Sequence, residues 1–198
     1  MKKTITLVSL LASLVLFSNI VYAEPTEWQL DPLHTRIFFD IKHIFATVRG
    51  QFDDMSATLI FDPNNMKASR CDMEVRIKSI NTNIQKRDDH LLSDEFFSAE
   101  EYPVMKFKTT QVSSMKNNSF ELKGKLTIKD VTQDVVIPVI YQGEKVHPAD
   151  PKKLVCGFEG KFTIDRLSYH VGTGKYYKMG AIGKDVDIII TIEALKDK

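Results

Sequence analysis

The stretch NTNIQKRDDHLLSDEFFSAEEYP, residues 81–103, is the one long segment that departs from an otherwise two-residue rhythm. Within it Leu91, Leu92, Phe96 and Phe97 recur at near-helical spacing, and Arg87, Asp88, Asp89 and His90 stand together just ahead of them. That pattern predicts a short amphipathic helix laid on a β-structure by its Leu and Phe face. Pro103 biases the residue before it towards extended backbone and so ends the insert.

On both sides of the insert, apolar and polar residues alternate. Cys71, Met73, Val75 and Ile77 interleave with Arg70, Asp72, Glu74, Arg76 and Lys78, the signature of a strand with one dry and one wet face. Upstream, Ile37, Phe39, Ile41 and His43 share one face of a first strand. Met55, Ala57, Leu59 and Phe61 share that of a second, before a turn at Asp62-Pro63-Asn64-Asn65. Downstream, a fourth strand runs from Met105 through Phe107 to Val112, and a fifth carries Phe120, Leu122, Leu126 and Ile128. The sixth holds Val135, Ile137, Val139 and Tyr141. The seventh holds Cys156, Phe158, Phe162 and Ile164, and the eighth Val186, Ile188, Ile190 and Ile192. The chain therefore reads as all-β. Eight short-linked strands suit an antiparallel up-and-down barrel with a helical insert between strands 3 and 4, because closure removes free sheet edges. A two-sheet sandwich fits the same periodicity. Pro138, in mid-strand without an N–H to donate, predicts a bulge or pairing gap.

Lys2 and Lys3 precede an apolar run from Ile5 to Ile20, followed by Val21, Tyr22 and Ala23. This is the layout of a secretory signal peptide cut after Ala23, and the run is shorter than the ~20 residues a membrane span needs. Residues 24–198 then form one domain, expected in the periplasm. Without the leader 25 basic side chains face 26 acidic ones, a balance that argues against a nucleic-acid partner. The histidines form no HExxH or His-x-His spacing, and the two cysteines form no CxxC, so no metal site is expected. No nucleophile elbow surrounds any serine, and Gly172-Thr173-Gly174 reads as a flexible connection. Neither catalysis nor a cofactor is expected.

The runs WQLDPLHTRIFFDIKH, TVRGQF, IFDP, SINT, RDDHLLSDEFFSAEEYPVMKF, GKLTIKDVTQDVVIPV and FTIDR, in this order and spacing, together resemble the YceI family of periplasmic, lipocalin-like proteins. The resemblance spans nearly all of residues 24–198. It implies an eight-stranded barrel whose apolar interior binds, stores or transports a polyisoprenoid or similar amphiphile such as an isoprenoid quinone or a polyprenyl phosphate. Two departures stand out. Thr35 takes the place of the family's usual Ser, and Leu167-Ser168-Tyr169-His170 follows Arg166 where a Phe-Gly pair is usual.

On that reading the cavity wall comprises Ile37, Phe39 and Ile41 of strand one, Leu59 and Phe61 of strand two, Val75 and Ile77 of strand three, and Phe107, Leu126, Phe158, Phe162 and Ile188 beyond the insert. Odd strands run the same way in an up-and-down barrel, so His43, Arg87, His90, Arg166 and His170 are expected to converge on one rim and His34 to lie at the other. Arginine there offers bidentate donors to a phosphate or carbonyl. Alternatively, Arg87 to His90 pair among themselves or cap the helix, and the core is filled, making the protein a structural or stress-response module with a protein partner. The outward lysines Lys106, Lys108, Lys123, Lys125 and Lys129 suit transient membrane-surface contact or simple solvation. A homodimer is also carried as an expectation. Cys71 and Cys156, at the starts of odd strands in an oxidising compartment, are expected to form a disulfide, with two apolar lining thiols as the alternative.

Overall fold

A computed structural model describes residues 26–198; the expected leader, residues 1–23, lies outside them. One antiparallel sheet runs through β1 (Glu27–Leu30), β2 (Arg36–His43), β3 (Ala46–Phe52), β4 (Met55–Ile60), β5 (Arg70–Arg76) and β6 (Ile80–Asn81). It continues through β7 (Val104–Val112), β8 (Ser119–Ile128), β9 (Val131–His147), β10 (Asp150–Asp165) and β11 (Ile182–Asp197). These pieces make eight staves. β1 and β2 both pair with β11, β3 and β4 pair with β2 and β1 respectively, and β6 and β5 pair with β3 and β4. The first three staves are therefore each broken once, at Asp31–Thr35, at Asp53–Asp54 and at Ile77–Ser79. Because the first stave pairs with β11, the sheet closes on itself. The fold is the expected eight-stranded antiparallel up-and-down barrel.

One strand per stave was legible in the sequence, and β1, β3 and β6 were not. In β3, Gly50 occupies an inward position opposite Phe39, whose ring folds over it: a Cβ there would lie 2.2 Å from the ring. The apolar alternation vanishes where the neighbouring side chain fills the space. Gly124 of β8 is covered in the same way by Phe107. The expected gap at Pro138 is present: β9 is paired with β10 only from Val139 onward, whereas Pro138 itself lies in register with Glu121 of β8.

The helix in the insert is shorter than its apolar pattern predicts. It is α1 (Gln85–Leu92), and Phe96 and Phe97 fall in the turns after Ser93. Both rings nevertheless pack inward, Phe97 edge-on to Phe52 at 6.2 Å and Phe96 at the centre of a second cluster with Ile128, Tyr169 and Val171. Hydrophobic burial thus survives the loss of helical register. The ends of the first, third and seventh staves place α1 and the Arg166–Ala181 crossover at one rim. That crossover contains the four-residue helix α2 (Lys175–Lys178).

Candidate functional site

The barrel encloses a cavity of about 610 Å³. Ile37, Phe39, Ile41, Leu59, Phe61, Val75, Phe107, Leu126, Phe158, Phe162 and Ile188 all line it, as the strand alternation predicts. Ile77 does not. It is buried in the 3-10 turn that breaks the third stave, where its N–H donates to Pro103 O at 2.9 Å. Away from the insert, Phe61 packs against Phe120, Tyr141 and Phe158 at centroid distances of 5.9, 4.8 and 4.8 Å, an aromatic floor. Trp28 seals it from behind, its Nε1 donating to Phe61 O at 3.2 Å.

Of the exposed lining residues, His43, Ile84, Lys86 and His90 cluster at the rim that carries α1, whereas Arg70, Lys106 and Glu159 are scattered, which makes the α1 end the mouth. Arg87 and Arg166 also line the cavity there, but their guanidinium groups are engaged with the fold. Arg87 donates through Nε to Thr82 Oγ1 and through a terminal nitrogen to Thr82 O, both at 2.8 Å, while buried Asp88 accepts from the Thr82 N–H and hydroxyl. These contacts fix the entry into α1. Arg166 is almost wholly buried. Its Nε donates to Gly183 O at 2.8 Å and one terminal nitrogen to Val171 O at 2.6 Å. The other terminal nitrogen is buried without a partner beside the Phe96 ring, whose centroid lies 5.9 Å from the guanidinium carbon. Burial lowers the Arg166 pKa from its ordinary value.

His90 Nε2 lies 2.6 Å from Glu95 Oε2, and this contact holds the Glu95 carboxyl below its usual range. His170 does not line the cavity. It adopts left-handed backbone at φ 56° and faces Asp130 at 3.1 Å on the outside of the rim. His34 is not at the opposite rim either, but on the flank where the first stave breaks. There Asp31, His34 and Glu193 bring three potential ligand atoms within 4.8 Å of one another. His34 Nδ1 is 2.8 Å from Asp31 Oδ2, whose partner oxygen accepts the Leu33 N–H, so the group braces the break. Desolvation of Asp31 is outweighed by these hydrogen bonds, which hold its carboxyl below the ordinary value and raise His34. Thr35, the departure noted above, donates its hydroxyl to Glu193 O across the same break.

The expected Cys71–Cys156 disulfide is not formed; both are free thiols. They belong to the third and seventh staves, on opposite sides of an eight-stave barrel. Cys71 opens on the cavity, Cys156 is fully buried, and burial pushes both thiols up to about 12.

A YceI-like domain model matches residues 28–194. The chain belongs to the YceI-like family. Among its relatives, a UPF0312 protein of Pectobacterium atrosepticum is 29% identical over the whole of both chains. A solved Campylobacter jejuni YceI protein shares 30% identity and a TM-score of 0.69, over 79% of this chain and 90% of that one. A polyisoprenoid binding domain from Saccharophagus degradans, 13% identical, shares the fold at a TM-score of 0.64, over 84% of this YceI-like chain and 97% of its own.

Proposed function

We propose that this YceI-like protein is a periplasmic carrier or reservoir that holds a polyisoprenoid or similar long-chain amphiphile, tail inward, without transforming it. The observation that carries the reading is the cavity: about 610 Å³ walled by isoleucine, leucine and phenylalanine inside a closed barrel. Ligand sites span roughly 300–1,000 Å³, and apolar voids of this kind exclude water and take apolar guests. A filled core acting through a protein partner does not fit such a void. The Saccharophagus neighbour, named for polyisoprenoid binding, has the same fold, which supports that ligand class.

The head group stays at the mouth beside His43, Lys86 and His90. Arg87 and Arg166 hold the rim in shape, and His170 supports it from outside. The test is a prenyl-alcohol series of increasing length, measured by native mass spectrometry. Each buried CH₂ contributes about 0.8 kcal/mol before ordering and association costs, so affinity climbs with unit number and levels off once the cavity is full. Equal binding of short and long prenols overturns the tail-inward reading.

A further inference from the structure

The β2–β3 hairpin turns through two residues, Ile44 and Phe45, between the paired His43 and Ala46. Two-residue hairpins favour Asn-Gly, or glycine at the first position, because that position needs positive φ. Here Ile44 takes it, at φ 50°. A β-branched residue in left-handed backbone is a true outlier, and the Phe45 side chain beside it is 93% exposed. Both choices work against a soluble fold, so something other than folding accounts for them.

The tip is not alone. Its Ile44 N–H donates to Ala181 O at 3.0 Å, which ties it to the end of the crossover, where Tyr177 and the 67%-exposed Met179 also face solvent. Exposed Ile84 stands on the same rim at the start of α1. Basic residues are interleaved with these apolar groups. Lys86, Lys175 and Lys178 have no ion-pair partner among the described residues, whereas the nearby carboxylates of Asp89 and Glu95 are engaged by Gln85 and His90. The lysine stripe on the outer wall differs. Lys106, Lys123 and Lys125 face Glu74, Glu121 and Asp134 at 2.9, 3.5 and 3.0 Å, and Lys129 donates to the carbonyls of Phe96 and His170. Among the described residues, three lysines of the stripe are paired with carboxylates and Lys108 is not, whereas the mouth sets three unpaired lysines directly beside exposed apolar groups.

From this we propose that the mouth docks on an anionic phospholipid bilayer, with Phe45, Ile44 and Met179 inserted among the acyl chains and Lys86, Lys175 and Lys178 at the head groups. Aliphatic and aromatic tips flanked by lysine are the chemistry of interfacial anchors. Docking there opens the cavity onto the bilayer and spares a long tail from crossing water. The inference rests on the carrier reading and extends it to the surface that loads the cavity; Ile44, Phe45, Lys175, Lys178 and Met179 do not line the cavity, so it can fail separately.

The test is co-sedimentation of the purified protein with vesicles of phosphatidylglycerol and phosphatidylethanolamine, against vesicles of phosphatidylcholine alone. Binding to the anionic vesicles is expected and should weaken with salt. The double variant I44G/F45S suits the turn better than the native pair, so it keeps its melting temperature while its vesicle affinity falls about tenfold or more. Lys175→Gln and Lys178→Gln should each weaken it about fivefold. Prenol uptake from detergent-free solution, read by native mass spectrometry, stays unchanged in I44G/F45S and so reports on the carrier reading separately. Vesicle affinity unaffected by I44G/F45S, or lost instead when Lys106, Lys123 and Lys125 are replaced, overturns the proposal. So does a tip-dependent dimer in place of vesicle binding, which assigns the face to a second copy of the chain.

Discussion

Arg166 Nε lies 2.8 Å from the carbonyl oxygen of Gly183, seventeen residues along the chain, so one guanidinium clasps both ends of the crossover that frames the mouth. Its second bond, to Val171 O, needs the bare backbone of Gly172, where φ is +86° and a Cβ would lie 2.3 Å from the Arg166 terminal nitrogen. Arg166→Ala is expected to cost about 3 kcal/mol, since it removes charged hydrogen bonds and leaves main-chain carbonyls unpaired. Denaturant unfolding measures the loss. A phosphorylated and a neutral prenyl lipid should weaken equally in this variant; selective loss of the phosphorylated one would instead make Arg166 a head-group ligand.

Gly50→Val should drive the Phe39 ring off its neighbour and into the cavity. Such overpacking costs about 1–3 kcal/mol. Because space is removed from the interior, the longest prenols should lose affinity while short ones change little. Length-resolved binding, with circular dichroism as a check on the fold, reads the difference.

Phe162→Asp places a carboxylate on the apolar wall, where an unpaired charge is expensive. Prenol uptake should be abolished and the fold weakened. The companion Phe162→Leu should retain both, which separates loss of apolar lining from loss of the barrel.

The two thiols should resist alkylation in the folded protein at pH 8, since burial has pushed them up to about 12 and little thiolate forms. In denaturant both should react freely. Mass spectrometry of iodoacetamide-treated protein counts the adducts, and a linked Cys71–Cys156 peptide from periplasmic material would contradict the free-thiol structure.

His34 gains its partner only on folding, and its folded pKa is raised by Asp31. Its contribution to stability is therefore complete below the unfolded value of about 6.5 and fades as pH rises through the higher folded value. Depressed Asp31 acts in the opposite sense, its contribution fading as pH falls through the carboxyl's lowered value. NMR titration should place His34 above an unperturbed imidazole, and Asp31→Asn should remove the difference.

What could be read in the sequence was whatever shows as side-chain rhythm. Ile37, Phe39 and Ile41 announce their stave because each inward position carries its own apolar group. The partner strand carrying Gly50 stays silent because Phe39 supplies the bulk for both. Strand direction correctly brings Arg87, His90 and Arg166 to one rim, yet the groups that occupy the two arginines are mainly main-chain carbonyls, which leave no mark in a sequence. Gly172 was the available trace of the Arg166 clasp. Phe45 was legible as a residue but not as a tip, since its exposure depends on a turn that its own sequence disfavours.

The breaks in the first three staves lie side by side: the Asp53 N–H reaches Ser79 O, and the Arg76 N–H reaches Asp54 O. On the far side of the barrel, β8 and β9 stay in register over ten consecutive pairs, from Ser119 to Ile128. The wall thus has a stiff half and a creased half, and local opening concentrates where ladders are interrupted. If the barrel takes a bulkier guest, the crease is where the wall is expected to give, along one meridian, with the opposite wall holding its shape as the template against which the guest is measured.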